Sequence, residues 1–162
     1  MSEKVVPFKK KRPGAGGMGG ERSSARLCAV QAVYQMLASG DEAKKAVSDF
    51  LDYHIADTIE QQQIRPPDRQ FFSKIVTGVE SEKHALAKVI NTHFQQKTEG
   101  KQKNEKLLQS ILLCGGYELL SFHEIDTAVI LNEYINLGHA FFDQGEVRLI
   151  NGLLDAMAKD LR

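Results

Sequence analysis

The sequence predicts an all-α protein, and three observations support this prediction. Apolar residues after residue 20 recur at spacings of three and four residues, which is the period of an amphipathic helix. No segment of the sequence shows a convincing two-residue alternation of apolar and polar residues. The chain has 162 residues, of which 42% are hydrophobic and 26% charged, as is typical of a soluble globular domain with its own core.

Residues 1–20 are predicted to form a disordered basic arm, because they are rich in lysine, glycine and proline and contain few core-forming residues. Residues 1–26 carry seven basic and two acidic side chains, although the whole chain has 21 of each kind. Such an arm suggests a polyanionic partner, but basic tails also occur without one. The stretch GAGGMG at 14–19 has the spacing of a dinucleotide-binding loop, but no buried strand precedes it, so we interpret it as a linker.

The first helix is predicted to begin near residue 21 and to end at Ser39 and Gly40. Its apolar stripe consists of Ala25, Cys28, Ala29, Ala32 and Met36. A weaker helical pattern follows, and Pro66 and Pro67 must end it. Its members are Ala46, Phe50, Leu51, Ile55 and Ile59.

A longer pattern runs from Phe71 to Phe94, with a predicted break between Gly78 and Ser81. The polar residues 95–105 then form a linker. We therefore expect an N-terminal helical subdomain at 21–98 and a C-terminal one at 104–162, within a single compact domain.

In the C-terminal half, Asn104 is predicted to cap a helix whose inward face is Leu108, Ile111, Leu112, Gly115 and Leu119. Residues 126–142 are apolar on nearly every side, which predicts a helix at the centre of a bundle. Asp143 and Glu146 resemble a capping box. The last helix has an apolar face of Val147, Ile150, Leu154, Met157 and Leu161.

Residues with catalytic or metal-binding spacing are not found in the sequence. The five histidines form no recognisable ligand pattern, and no serine lies in a nucleophile motif. We expect no catalytic residue, no metal and no cofactor, and we expect Cys28 and Cys114 to be buried thiols. The N-terminus lacks an apolar signal region and no run is long enough to cross a membrane, so we expect a cytoplasmic protein without a membrane partner.

Arg22 and Arg26 are predicted to lie along one side of the exposed first turn of the first helix. Basic residues there oppose the helix dipole, which suggests a phosphate partner, although the two arginines could simply keep the helix end soluble. Gln31 and Tyr34 share a flank of the same helix. The tyrosine could stack on an unpaired base, or it could seal the edge of the core.

Three blocks of the sequence resemble the NusB family of transcription antitermination factors. They are ARLCAVQAVYQM from Ala25, ILLCGGYELL around Tyr117, and TAVILNEYINLGHAFFDQGEVRLINGLLDAMA from Thr127. The resemblance implies two three-helix bundles packed at a steep angle. It also implies a non-enzymatic protein without a cofactor, which pairs with the ribosomal protein NusE on the boxA element of single-stranded RNA so that RNA polymerase reads through terminators.

The resemblance also implies roles for individual residues. Arg22 and Arg26 match the arginine-rich segment of the family, and Arg148 and Leu149 match a region close to the RNA and the partner. Glu118, Asn132 and Asn151 are expected to cross-link the C-terminal helices by hydrogen bonds.

The chain departs from the family pattern at Ser23 and Ser24, where basic residues are common. We hypothesise that Lys9, Lys10, Lys11 and Arg12 compensate for them by contacting phosphates. Two alternatives stay open: an interaction adaptor with weak or no specific RNA binding, and a homodimer that forms through the surface used for RNA.

Overall fold

The structure, a computed structural model, describes residues 20–98 and 105–162 and contains only helices and their connections in these ranges. The helices are α1 (Glu21–Ser39), α2 (Ala43–Asp49), α3 (Ile55–Gln62), α4 (Arg69–Ser81), α5 (Lys83–Thr98), α6 (Lys106–Ser121), α7 (Thr127–Phe141) and α8 (Gln144–Leu161). The prediction of an all-α protein is confirmed. Residues 1–19 of the predicted arm, with the basic cluster at 9–12, and Asn104 lie outside the described residues.

The ends of α1 and α3 lie where the sequence predicts breaks. Gly40 follows α1 in the left-handed conformation, with φ of 81°, and its N–H donates to the carbonyl of Met36 at 2.8 Å. The α3 helix ends at Gln62, before Pro66 and Pro67.

The sequence did not indicate the π-helical turn at Phe50–His54, which joins α2 to α3. Such a turn contains more residues than an α-helical turn and shifts the register of the side chains that follow it. Phe50 is buried at its start, with its ring centroid 5.1 Å from that of Phe72 in α4. The residues after Phe50 in this turn are exposed or half-buried.

Helix α6 forms the centre of the fold and packs against α1, α4, α5, α7 and α8. Its glycines permit this close packing, as a missing side chain lets a neighbouring helix approach. A Cβ atom on Gly115 would lie 3.0 Å from Leu154, and one on Gly116 would lie 2.8 Å from Met157. The buried residues of α6 are Leu107, Leu108, Ser110, Ile111, Leu112, Leu113, Cys114, Gly115, Gly116, Glu118 and Leu119.

The prediction that residues 126–142 form the central helix is wrong. Only one stripe of α7 is buried, and Val129 remains 47% exposed. Because α6 occupies the centre, α7 packs beside it, and the other apolar side chains of α7 are only partly buried or are exposed. The buried stripe of α7 is Ile130, Tyr134, Leu137, Gly138 and Phe141.

The predicted capping box at Asp143 and Glu146 is also wrong. Asp143 occupies the N-cap position of α8, but its exposed side chain accepts no capping hydrogen bond. Helix α6 is capped by Glu105, whose carboxylate accepts a hydrogen bond from the Leu107 N–H at 2.8 Å.

Both cysteines are buried, as predicted, and burial raises the pKa of the Cys28 and Cys114 thiols above the ordinary value. None of the helices in the described ranges is long and apolar enough to cross a membrane.

Candidate nucleic-acid interface

The first turn of α1 is attached to the start of α4 through Asp68. The Asp68 N–H donates to the Glu21 carbonyl oxygen at 3.1 Å, and its carboxylate caps α4 by accepting from the Phe71 N–H at 3.0 Å. These two bonds bring the Phe71 ring beside the opening turn of α1.

Arg22 lies at the surface of this turn, with its guanidinium carbon 4.4 Å from the centroid of the Phe71 ring. Within the described ranges no carboxylate forms an ion pair with this guanidinium. A cation that packs on a ring face need not use its N–H groups for that contact, so these donors remain able to bind an anion. Arg22 thus presents guanidinium donors at the surface of the first turn of α1.

Arg26 does not lie on an exposed turn, so this prediction is wrong. Its side chain is 4% exposed, and it binds Glu118 through two hydrogen bonds, from Nε to Oε2 at 2.7 Å and from Nη2 to Oε1 at 3.0 Å. Its Nη1 atom also lies 3.4 Å from Glu133 Oε1. The physical reason is that α6 and α7 pack over α1 at this level and supply the carboxylates that a buried guanidinium needs.

Two hydroxyl groups complete this buried network. The Tyr134 hydroxyl donates to Glu118 Oε2 at 2.5 Å, and the Ser23 hydroxyl donates to Glu133 Oε1 at 2.8 Å. Burial by itself lowers the pKa of Arg26. The hydrogen bond and the charge of Glu118 raise this pKa by more than burial lowers it, so the net pKa lies above the ordinary value. Burial and then the Glu118 charge raise the pKa of Tyr134 well above its ordinary value.

The network joins α1, α6 and α7, and the hydrogen bond from Tyr134 confirms the prediction that Glu118 cross-links the C-terminal helices. Sequence reasoning missed its partner, Arg26. The available signal was a glutamate inside an otherwise apolar helix, because a buried carboxylate requires a buried donor or cation.

Ser23 and Ser24 both face the interior. Ser23 is 9% exposed and Ser24 is fully buried, and the Ser24 hydroxyl has no hydrogen-bond partner among the described residues. Small hydroxyl side chains fit these positions, whereas a basic side chain with the same orientation would need a buried anionic partner.

Gln31 and Tyr34 are half-buried and lie further along α1. Gln31 Oε1 accepts a hydrogen bond from Thr58 at 3.4 Å, so its amide contacts α3. Tyr34 packs against the edge of the core. Tyr34 is about 18 Å from Arg22 along the helix axis, given a rise of about 1.5 Å per residue.

Arg148 is exposed and Leu149 half-buried near the start of α8, which packs against α5, α6 and α7. The predicted binding residues therefore lie in at least three places, rather than in one cluster. Asn132 and Asn151 are both exposed, so the prediction that they cross-link the C-terminal helices is wrong. Each lies on the outer face of its helix, away from the core stripe.

Among residues 20–98 and 105–162, no group of three or more histidine, cysteine, aspartate or glutamate side chains could hold a metal ion. The carboxylates of the buried network contact a guanidinium and two hydroxyl groups instead.

Comparison with known proteins places these features in a family. The sequence model of the NusB family matches residues 23–159. The transcription antitermination protein NusB of Bartonella quintana (strain Toulouse) is 34% identical over 146 residues, covering 90% of this chain and 92% of the relative. The transcription antitermination protein NusB of Novosphingobium aromaticivorans is 31% identical over 144 residues, which cover 89% of this chain and 97% of the relative.

The solved structure of T. maritima NusB has the same fold. It superimposes with a TM-score of 0.69 at 17% identity, covering 87% of this chain and 92% of the other. The family match spans nearly all of the described helices; it begins at Ser23, directly after Arg22, and includes the network around Arg26. The chain therefore belongs to the NusB family.

Proposed function

We propose that this protein is a transcription antitermination factor that binds boxA-type single-stranded RNA together with the ribosomal protein NusE. In this role it acts in the cytoplasm, as a non-enzymatic part of the RNA polymerase antitermination complex. Family membership supports the proposal, because the relatives that match along most of the chain are named transcription antitermination proteins.

The observation that carries the RNA-binding role is the exposed guanidinium of Arg22 at the start of α1. It lies two residues after the glycine-rich segment that connects α1 to the basic cluster Lys9, Lys10, Lys11 and Arg12. Arginine binds phosphate through paired donors and stacks on unpaired bases. Arg22 and the basic cluster at 9–12 together offer RNA two basic sites in the same segment of the chain.

Arg26 has a different role in this proposal. Its guanidinium hydrogen-bonds Glu118, so we infer that it holds the first turns of α1 on α6 and α7 instead of contacting phosphates directly. Arg148 and Leu149 form a second contact region at the start of α8, and Tyr34 with Gln31 a third along α1.

The partner surface is a prediction from the family. The segment 108–113 of α6, where charged residues are common in the family, carries no charged residue here, and all but Gln109 of its side chains are buried. In this proposal, NusE contacts exposed side chains of the neighbouring elements instead of charged side chains in this segment.

A titration with labelled RNA tests the proposal. A boxA-like RNA and a scrambled RNA of equal composition are titrated with the full chain, with and without NusE. We expect selective binding to the boxA-like RNA, strengthened by NusE. Equal, salt-sensitive binding to both RNAs would contradict the proposal and leave the alternative of an interaction adaptor with weak, unspecific RNA binding.

The contribution of the arm follows from the salt dependence. If four or five phosphates are engaged, the slope of log affinity against log salt concentration is about −3 on single-stranded RNA. Deletion of residues 1–20 should flatten this slope by about half. An unchanged slope would show that the basic cluster does not compensate for Ser23 and Ser24.

A further inference from the structure

We propose that Phe71 is a positioning residue of the RNA-binding turn: its ring, supplied by α4, holds the Arg22 guanidinium in the orientation that binds phosphate. This inference rests on the proposed function and adds to it a residue outside the α1 and α8 segments considered so far. It follows from the contacts of the Phe71 ring with two arginines and a second aromatic residue.

The ring of Phe71 lies against both arginines of α1. The guanidinium carbon of Arg22 is 4.4 Å from the ring centroid, and that of Arg26 is 5.1 Å away. Arg26 is immobilised by its hydrogen bonds to Glu118, whereas Arg22 is exposed. One ring therefore links a fixed guanidinium in the interior to a guanidinium at the surface.

The ring itself is held firmly in place. Phe71 is 5% exposed, and its N–H is bonded to the capping carboxylate of Asp68. The Phe122 ring, at the end of α6, packs against it with centroids 5.3 Å apart. The backbone bond from Asp68 to Glu21 ties the start of α4 to the residue directly before Arg22.

An exposed arginine loses rotamer entropy when it binds a phosphate, and this loss weakens binding. A side chain that already lies on a ring face has lost part of that freedom before RNA arrives. A cation–π contact of this kind stabilises an exposed site by an amount equivalent to about a twofold to fivefold change in affinity. Phe71 thereby raises RNA affinity without a direct contact to RNA.

A double-mutant cycle tests this role. Phe71→Leu should weaken binding of boxA-like RNA about twofold to fivefold, and it should have no further effect in an Arg22→Ala background. Phe72→Leu is the matched control, because Phe72 is the next residue of α4 and packs on Phe50 instead. It should lower the unfolding free energy while leaving RNA affinity unchanged.

Spectroscopy of the free protein separates this proposal from the function on which it rests. In the wild type, the Nε–Hε proton resonance of Arg22 should be shifted upfield by the Phe71 ring current relative to that of exposed Arg65, and Phe71→Leu should abolish the shift. An unshifted Arg22 resonance in the wild type overturns the proposal, even if Phe71→Leu does not fold. The proposal is also overturned if Phe71→Leu weakens RNA binding equally in the wild type and in the Arg22→Ala background. A shifted resonance without any RNA binding would support the stacked geometry but contradict the proposed function, and the RNA-positioning role would be rejected with it.

Discussion

Two regions of α1, one turn apart, use the same side chain in opposite ways. At the opening turn, Arg22 is exposed and packs on the ring of Phe71. At the next turn, Arg26 is buried in a junction of α1, α6 and α7, where Glu118 binds it through two hydrogen bonds. We refer to these regions as the opening turn and the buried junction.

The difference between the two regions shows that the facing helices decide what an arginine does. A guanidinium is tolerated in the interior only where carboxylates and other acceptors replace its water, as Glu118 and Glu133 do. The opening turn faces an aromatic ring and the solvent, so its arginine keeps its donors for an external partner. We therefore expect the buried junction to contribute mainly to stability and, in the proposed function, the opening turn to contribute mainly to RNA binding.

The largest expected effect is that of Glu118→Ala in the buried junction. This substitution leaves the Arg26 guanidinium buried without its main partner, so we expect the free energy of unfolding to fall by about 3–5 kcal/mol. Urea denaturation followed by circular dichroism measures the loss. Glu124→Ala, at an exposed glutamate after α6, serves as the control and should change stability by less than about 0.5 kcal/mol. A similar, small loss in both variants would mean that Arg26 is not held by Glu118.

A smaller effect is expected for Tyr134→Phe, which removes one hydrogen bond from Glu118 and leaves the ion pair in place. Loss of a hydrogen bond to a charged acceptor should cost about 1.5–3 kcal/mol at pH 7. The pKa of Tyr134 is raised in the folded protein, so the unfolded chain, whose tyrosine has a pKa near 10.0, releases this proton first. Tyr134 therefore makes the wild type lose stability as the pH rises above about 10.

Unfolding curves between pH 7 and pH 11 test whether stability falls in this way as the pH rises. The Tyr134→Phe variant should lose less stability over the alkaline part of this range than the wild type does. The buried thiols of Cys28 and Cys114 also lower the unfolding free energy above about pH 9, because their pKa values, like that of Tyr134, are raised in the folded protein. This loss of stability is the same in the wild type and in the Tyr134→Phe variant. Tyr53→Phe is the matched control, since it removes the same hydroxyl group from a tyrosine that is 72% exposed and lies outside the buried junction. The prediction is wrong if the unfolding free energies of Tyr134→Phe and Tyr53→Phe fall equally between pH 7 and pH 11.

Much of the fold could be predicted from the sequence because local signals and helical periodicity agree. The end of α1 at Gly40 and the break at Pro66 and Pro67 follow from backbone chemistry that acts on a few residues. The π-helical turn at Phe50–His54 could not be predicted, because no residue of this segment is specific for that geometry and the Phe50 ring packs on a ring of α4 that is distant in the sequence. The central position of α6 rather than α7 was missed because apolar residues such as Val129 also occur at the surface.

The candidate site was less predictable than the fold. Helical spacing places Arg22 and Arg26 on one side of α1, but it cannot tell where the other helices cover that side. Glu118 indicated a buried partner, and only the packing of α1 on α6 identifies Arg26 as that partner. Phe71 carried no signal at all, since a phenylalanine on an apolar stripe is expected to be core and the arginines above it belong to a distant segment.

The smallest effect on stability is expected for Arg22→Ala in the opening turn. Loss of the contact with Phe71 should lower the unfolding free energy by only about 0.5 kcal/mol. Affinity for boxA-like RNA should nevertheless fall about tenfold, and the log–log salt slope should become less steep by about 0.7, because one phosphate contact is lost. Lys44→Ala removes one charge at the start of α2, beyond the far end of the 19-residue α1, and should change neither quantity. If Arg22→Ala destabilised the fold as strongly as Glu118→Ala, or left the salt slope unchanged, the division between a stabilising junction and a binding turn would be wrong.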